Sequence, residues 1–190
     1  MFENFSKYLK EKADFTPAEI EQIKAVSHVH KINKGTLLLK EGSVWEHNAF
    51  VCSGLLRSFY TDANGIDFTL SFAPQNYWAG DRQSLLTGKP TPYSVDALQD
   101  THVILISQSD FYDLSKKIDT FNTMMNTLIQ KHLVVTENNI NDGIRLSTEQ
   151  RYYNFLAKYS AVVHLIPQEI IASYIRTTPD VLARIQKNKF

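Results

Sequence analysis

The chain has 190 residues, 43% of them apolar and 12% aromatic, enough for one medium domain and a small one around packed cores, which excludes wholesale disorder. Lys+Arg and Asp+Glu number 20 each, so the formal net charge is zero, and the one cysteine, Cys52, excludes an internal disulfide framework and suits a reducing compartment. No apolar run approaches the ~20 residues that span a bilayer, and Met1-Phe2-Glu3-Asn4 lacks the basic and apolar blocks of a secretory leader, so a cytoplasmic protein without membrane association is expected.

The opening reads as two helices. Phe2, Phe5 and Leu9, then Ile20 and Ile23, recur at helical spacing. Thr16-Pro17-Ala18-Glu19 combines a Thr cap, a proline at the first helical position and a capping-box glutamate. From His28 to Ser107 the texture changes to short runs rich in β-branched and aromatic residues: Thr36–Lys40, Ala49–Cys52, Leu55–Thr61, Ile66–Ala73 and His102–Ser107. Turn signals separate them, among them Asn33-Lys34-Gly35, Glu41-Gly42-Ser43, Ser53-Gly54 and Asp62-Ala63-Asn64-Gly65. Six of the seven glycines fall in this stretch, a rhythm that predicts an antiparallel sandwich or barrel of about eight strands. Cys52 then reads as a packed strand thiol, since no basic neighbour in sequence lowers its pKa.

After Ser107 the pattern returns to helix. Asp110–Lys117 is short, and a longer helix is expected from Thr120 to Asn141, stopped by Asn141-Asp142-Gly143. Phe121, Met124 or Met125, Leu128, His132, Val135 and Asn139 form one face, with Ile129, Leu133 and Ile140 on a neighbouring one. Two apolar faces call for two packing partners, the sheet and the same helix of a second subunit; a helix buried within one chain is the alternative. Ser147-Thr148-Glu149-Gln150 opens a further capped helix carrying Tyr152, Phe155, Leu156 and Tyr159. Two short helices follow, Pro167–Ile175 and Pro179–Lys189.

The last pair carries the strongest functional signal. Ile171 and Ile175 with small Ala172 would face Leu182 and Ile185, while Thr178-Pro179-Asp180 supplies a cap, a first-position proline and an acid near the positive helix end. Thr178, Asp180, Val181, Arg184 and Lys187 remain on the outward face. In a helix-turn-helix such a second helix enters the major groove, where an arginine binds guanine in bidentate fashion and an aspartate accepts from a cytosine amino group. An ordinary helical hairpin has the same local pattern. The charge agrees with nucleic-acid binding: residues 1–144 hold 13 basic against 17 acidic residues, and residues 145–190 hold 7 against 3.

Other chemistries lack their residues. A metal-dependent cupin-like enzyme needs converging histidines and a glutamate, whereas His28-Val29-His30 has no glutamate close behind it and His47, His102, His132 and His164 are scattered. No nucleophile elbow, phosphate loop or dinucleotide fingerprint occurs, and one cysteine cannot hold an iron–sulfur cluster. No metal, cofactor or catalytic residue is expected.

With these residues in view, the chain resembles the Crp/Fnr (catabolite-activator-type) family of transcription regulators. The matching stretches are Lys34-Gly35, Leu38-Leu39-Lys40-Glu41-Gly42, Ala49-Phe50-Val51-Cys52-Ser53-Gly54-Leu55-Leu56-Arg57 and Asp62-Ala63-Asn64-Gly65, followed by Ile171 through Ile185 without a gap. The resemblance implies an α+β fold: a jelly-roll-like, cyclic-nucleotide-binding β-roll with flanking helices over residues 1–119, a dimerisation helix over 120–143 and a helix-turn-helix domain over 144–190. It implies double-stranded DNA, a second copy of the chain, RNA polymerase and a small-molecule effector of unassigned identity as partners. By family position Pro179, Asp180 and Arg184 read bases and Thr178 and Val181 approach phosphates, with Lys187 one turn further out. An effector pocket would comprise Gly80, Asp81, Thr91, Pro92, Tyr93 and, from the long helix, Thr136.

Three departures stand out. Arg176 occupies the family's turn glycine. Thr91-Pro92 replaces the family's arginine and following hydroxyl residue, so a cyclic phosphate would lose its cation and a backbone donor, and cyclic AMP and GMP should bind weakly or not at all. The sequence ends at Phe190, directly after the recognition helix, so the wing that often follows is missing or the protein is longer. Phe68, Leu70, Tyr77, Trp78 and Tyr93 either line a pocket for another ligand or pack the roll. A sensor or adaptor without DNA binding is the rival reading.

Overall fold

Local chemistry starts the second of the two N-terminal helices. Helix α1 (Phe2–Lys12) turns Phe5, Tyr8 and Leu9 inward, and α2 (Pro17–Ala25) starts at the anticipated capping box, with Thr16 Oγ1 accepting from the Glu19 N–H and Glu19 returning the bond to the Thr16 N–H at 2.7 Å. This is a computed structural model; it describes residues 1–187, with the backbone alone at 138–142.

Eight strands follow: β1 (His28–Ile32), β2 (Leu37–Leu39), β3 (His47–Ser53), β4 (Leu55–Thr61), β5 (Asp67–Pro74), β6 (Trp78–Ala79), β7 (Ser94–Ala97) and β8 (Thr101–Ser107). They form two antiparallel four-stranded sheets, in the orders β1-β8-β3-β6 and β2-β7-β4-β5. The fold is the expected α+β jelly-roll-like one. Helix α3 (Arg82–Thr87) interrupts the strands, and α4 (Gln108–Lys117), α5 (Asp119–Arg145), α6 (Thr148–Lys158), a short 3-10 turn (Val163–Leu165), α7 (Gln168–Tyr174) and α8 (Pro179–Lys187) complete the chain.

The two-residue pleat sorts side chains into three cores. Along β3, Ala49 and Val51 point between the sheets, where they meet Leu39, Leu56, Val95 and Val103. Phe50 and Cys52 point the other way, against α1, α2 and the first turns of α5 through Phe5, Ile23 and Phe121. On β4, Leu56 joins the inter-sheet core while its neighbour Leu55 faces outward, into a third cluster shared with Phe72, Tyr152, Phe155, Tyr159 and Ile171. Arg57 is buried on β4 yet fully engaged: its Nε and Nη2 bind both oxygens of Asp96 at 3.0 and 2.7 Å, Nη2 reaches Asp67 at 3.2 Å, and the guanidinium lies 4.0 Å over the Phe59 ring. A buried charge is tolerable when bidentate pairing satisfies its donors in this way.

The third cluster is a feature the sequence reading did not anticipate. The C-terminal helices sit on the roll. Ser173 of α7 accepts from the Thr69 N–H at 2.8 Å and donates to the Asp67 carbonyl at 3.0 Å, satisfying two backbone groups of the edge strand β5. Phe72 packs its ring within 5.2–6.1 Å of Phe155, Tyr159 and Tyr174.

Helix α5 corrects two expectations. Its backbone stays helical through Asn141-Asp142-Gly143 to Arg145; the side chains of Asn139, Ile140, Asn141 and Asp142 lie outside the described residues. Gly143 leaves room there for the Arg176 guanidinium, since a Cβ would lie 3.2 Å from Nη1. The helix also divides along its length rather than by face. Phe121, Met124 and Met125 are buried on the body, Leu128 and Ile129 are half-buried, and residues 131–137 are all exposed.

Candidate functional site

Gly80, Asp81, Thr91 and Tyr93 come together where β6, α3 and the approach to β7 meet. Gly80 adopts φ +109°, and a Cβ there would lie 2.3 Å from Nε1 of Trp45, so the position requires glycine twice over. Asp81 caps α3, its carboxylate accepting from the N–H groups of Gln83 at 2.8 Å and Ser84 at 3.1 Å. The Ser84 hydroxyl accepts from the Trp45 N–H at 2.9 Å and donates to the Lys89 carbonyl at 2.6 Å. Thr91 is buried, exchanging backbone bonds of 2.9 Å with Gly42 and Ser43, and its hydroxyl donates to the Tyr93 carbonyl at 3.2 Å. The Tyr93 hydroxyl donates to the Gly80 carbonyl at 3.2 Å, and burial, then the negative charge of Asp81, push that phenol above its ordinary pKa. Pro92 is exposed and offers no N–H.

Thr136 does not join this network: its hydroxyl donates to the His132 carbonyl 2.9 Å away within α5, on the exposed stretch. Of the five residues suggested for the pocket walls, Tyr93 alone belongs to the inter-sheet core. Trp78 packs outside it, against Phe5, Phe50 and Phe111, and Phe68, Leu70 and Tyr77 are exposed. Trp45 and Ser84 were missed by the sequence reading. A tryptophan two residues beyond the Gly42-Ser43 turn carries no signal of its own until the cassette is seen to close on it.

The second region is the α7–α8 pair. Helix α7 ends in a Schellman motif: the Thr177 N–H donates to the Ala172 carbonyl at 2.9 Å and the Arg176 N–H to the Ser173 carbonyl at 3.1 Å, with Arg176 left-handed at φ +56°. The turn thus keeps the shape a glycine would give it. Thr178 Oγ1 accepts from the Val181 N–H at 3.4 Å, capping α8, with Pro179 in its first position and Asp180 in its first turn. Leu182 is fully buried, Ile185 is half-buried and Ala172, 1% exposed, sits beneath them. Thr178, Pro179, Asp180, Val181, Arg184 and Lys187 are all exposed. Arg151 of α6 fastens this unit to the joint above it: Nε donates to the Ile175 carbonyl at 3.0 Å, Nη1 to the Leu146 carbonyl at 2.7 Å and Nη2 to Thr148 Oγ1 at 3.2 Å. Cys52 is fully buried, and burial pushes its thiol from 9.0 to about 11. Among the described residues, no three His, Cys, Asp or Glu side chains form a group able to hold a metal ion, and no helix is long and apolar enough to cross a membrane.

Comparison with known proteins agrees with this geometry. Residues 29–117 match the family model of the cyclic nucleotide-binding domain. No curated protein matches the sequence significantly. Among solved structures, FixK2 from Bradyrhizobium japonicum superposes with a TM-score of 0.74 at 16% identity, covering 86% of this chain and 84% of its own. The c-di-GMP-responsive global regulator CLP of Xanthomonas campestris gives 0.72 at 13% identity, over 91% of both chains. A structure described as a Crp/Fnr-family transcriptional regulator, from Eubacterium rectale, gives 0.69 at 18% identity, over 92% of this chain and 83% of its own. Residues 29–117 are thus similar to the cyclic nucleotide-binding domain, and the chain shares the fold of these three structures.

Proposed function

We propose that this chain is a DNA-binding transcription regulator that works as a homodimer, with residues 1–119 as the roll, 120–143 pairing two copies and 144–190 reading DNA. The observation that carries this reading is the outward face of α8. Six residues suited to groove and phosphate contact are exposed there, while the opposite face is anchored by Leu182 and Ile185. Arg184 reaches a base edge and Lys187, at i+3, a phosphate. Pairing through α5 is supported by Leu133, Val134 and Val135, which are 58%, 56% and 42% exposed on a helix that has left the body of its own chain. Two recognition helices about one DNA turn, ~34 Å, apart would select a roughly palindromic site, and RNA polymerase is the machinery through which a bound dimer acts, in the cytoplasm. The altered Thr91-Pro92 segment argues against cyclic AMP or GMP as effector.

The test is selection of a site from random duplexes, followed by titration of variants at two salt concentrations. Arg184→Ala is expected to lose about 1–3 kcal/mol and to relax preference at one base pair of each half-site. Lys187→Ala should weaken selected and scrambled DNA alike and lower the salt slope by about one unit per subunit. Sedimentation of the parent should show a dimer. If both variants match the parent throughout, α8 is not a recognition helix and the roll serves as an adaptor.

A further inference from the structure

Trp45 stands between the 41–43 turn and β3, and only 7% of it is exposed. Its ring belongs to the core between the sheets, with Leu39, Val51, Leu56 and Val95. It lies so near the Gly80 backbone that a Cβ there would meet Nε1 at 2.3 Å, and its own N–H is tied to Ser84 of α3. From within the inter-sheet core an aromatic body thus packs against the Gly80 end of the Gly80–Tyr93 cassette. The polar side of the cassette is satisfied as well. The amides at the start of α3, which would favour an anion, are held by the Asp81 carboxylate, itself 4% exposed, and the Ser84 hydroxyl spends its proton on Lys89. An incoming phosphate would find those amides already paired and, at Thr91, a buried hydroxyl in place of a cation.

From this arrangement we infer that the roll carries its own ligand: Trp45 in place of an aromatic base and Asp81 in place of an anion hold the cassette closed, so that DNA binding by this chain requires no small-molecule effector. The inference rests on the DNA-binding reading above. Its route to the DNA-binding helices is short. Trp45 shares the inter-sheet core with Leu56, and the preceding residue of β4, Leu55, faces the opposite side of the sheet, where α6 and α7 are seated. The side chain that fills the roll therefore braces the surface that seats the helix-turn-helix.

The experiment uses the full chain and a DNA site selected from random duplexes. Cyclic AMP, cyclic GMP and cyclic di-GMP, each at millimolar concentration, should change neither the melting temperature nor the DNA affinity of the parent. Trp45→Ala should melt lower and lose roughly tenfold or more in DNA affinity, and indole, which fits an apolar hole of that shape, should restore part of both losses while leaving the parent unaffected. Trp45→Phe, which keeps a ring in place, should stay close to the parent. A nucleotide that raises the parent's melting temperature or DNA affinity overturns the inference, as does a folded Trp45→Ala protein that binds DNA like the parent. Should the parent select no DNA at all, the regulator reading is what fails, and the nucleotide and indole melting experiments still decide whether the roll is self-filled.

Discussion

Arg176 holds a left-handed turn where glycine is the usual residue, with its N–H bonded to the Ser173 carbonyl, the following Thr177 N–H bonded to the Ala172 carbonyl, and its guanidinium beside Gly143. A non-glycine residue held at φ +56° carries about 1–2 kcal/mol of strain, part of which glycine would return as unfolded-chain entropy. Arg176→Gly is accordingly expected to raise stability by about 0.5–1 kcal/mol, read from the urea midpoint at unchanged slope. Cys52 makes a second case at this scale. The sequence suggested a packed strand thiol, and burial holds the group protonated up to about 11 against 9.0 for a free thiol. Below pH 9 both folded and unfolded chains keep the proton. Between about 9 and 11 only the unfolded chain releases it, so stability falls across that window by about 2–3 kcal/mol. Cys52→Ala should flatten that part of the pH profile, whatever it does to stability at neutral pH.

Elements with local start signals were legible, and those set by tertiary contacts were not. The capping boxes at Thr16 and Ser147 open α2 and α6 where the sequence placed them, because the cap and its acceptor lie three residues apart. The end of α5 was misread for the converse reason. Asn-Asp-Gly is a local stop signal, yet the helical backbone runs through it to Arg145, at a place where a residue 33 positions away, Arg176, lies beside Gly143. The exposed face of α8 was legible through its helical period. Arg151 was not, since nothing about an arginine at the start of an amphipathic helix announces that it will satisfy two carbonyls at a joint. Replacing it by Met keeps the aliphatic stem and removes the bonds to Leu146, Ile175 and Thr148. That should cost about 2–4 kcal/mol, since half-buried carbonyls lose charged donors. A loss below about 0.5 kcal/mol in chemical denaturation would show that water replaces the guanidinium freely.

At the scale of the whole molecule, the sequence presents a strand-rich body, a long helix and a helical end as three successive textures, and the reading kept them as three units. The structure joins the first and last through one shared core. Phe72 on β5 is 3% exposed and meets Phe155, Tyr159 and Tyr174, and Ser173 ties α7 to the edge of β5. No sequence periodicity marks this contact, because Phe72 follows a β-bulge that shifts the pairing of β5 against β4. If that core couples the two parts, they should unfold together. Both tryptophans, Trp45 and Trp78, lie in the roll, so their fluorescence reports the roll, while the far-ultraviolet circular dichroism of the helices reports chiefly the remainder. The two signals should superimpose in urea for the parent. Phe72→Ala should remove about 3–5 kcal/mol of packing and separate them, the helical signal falling first as the C-terminal helices leave a roll still held by its inter-sheet core. Coincident curves in that variant, shifted by the same amount, would mean that the coupling runs instead through the Arg151 joint and the Ser173 bonds, and the Arg151→Met variant should then be the one that splits the transition.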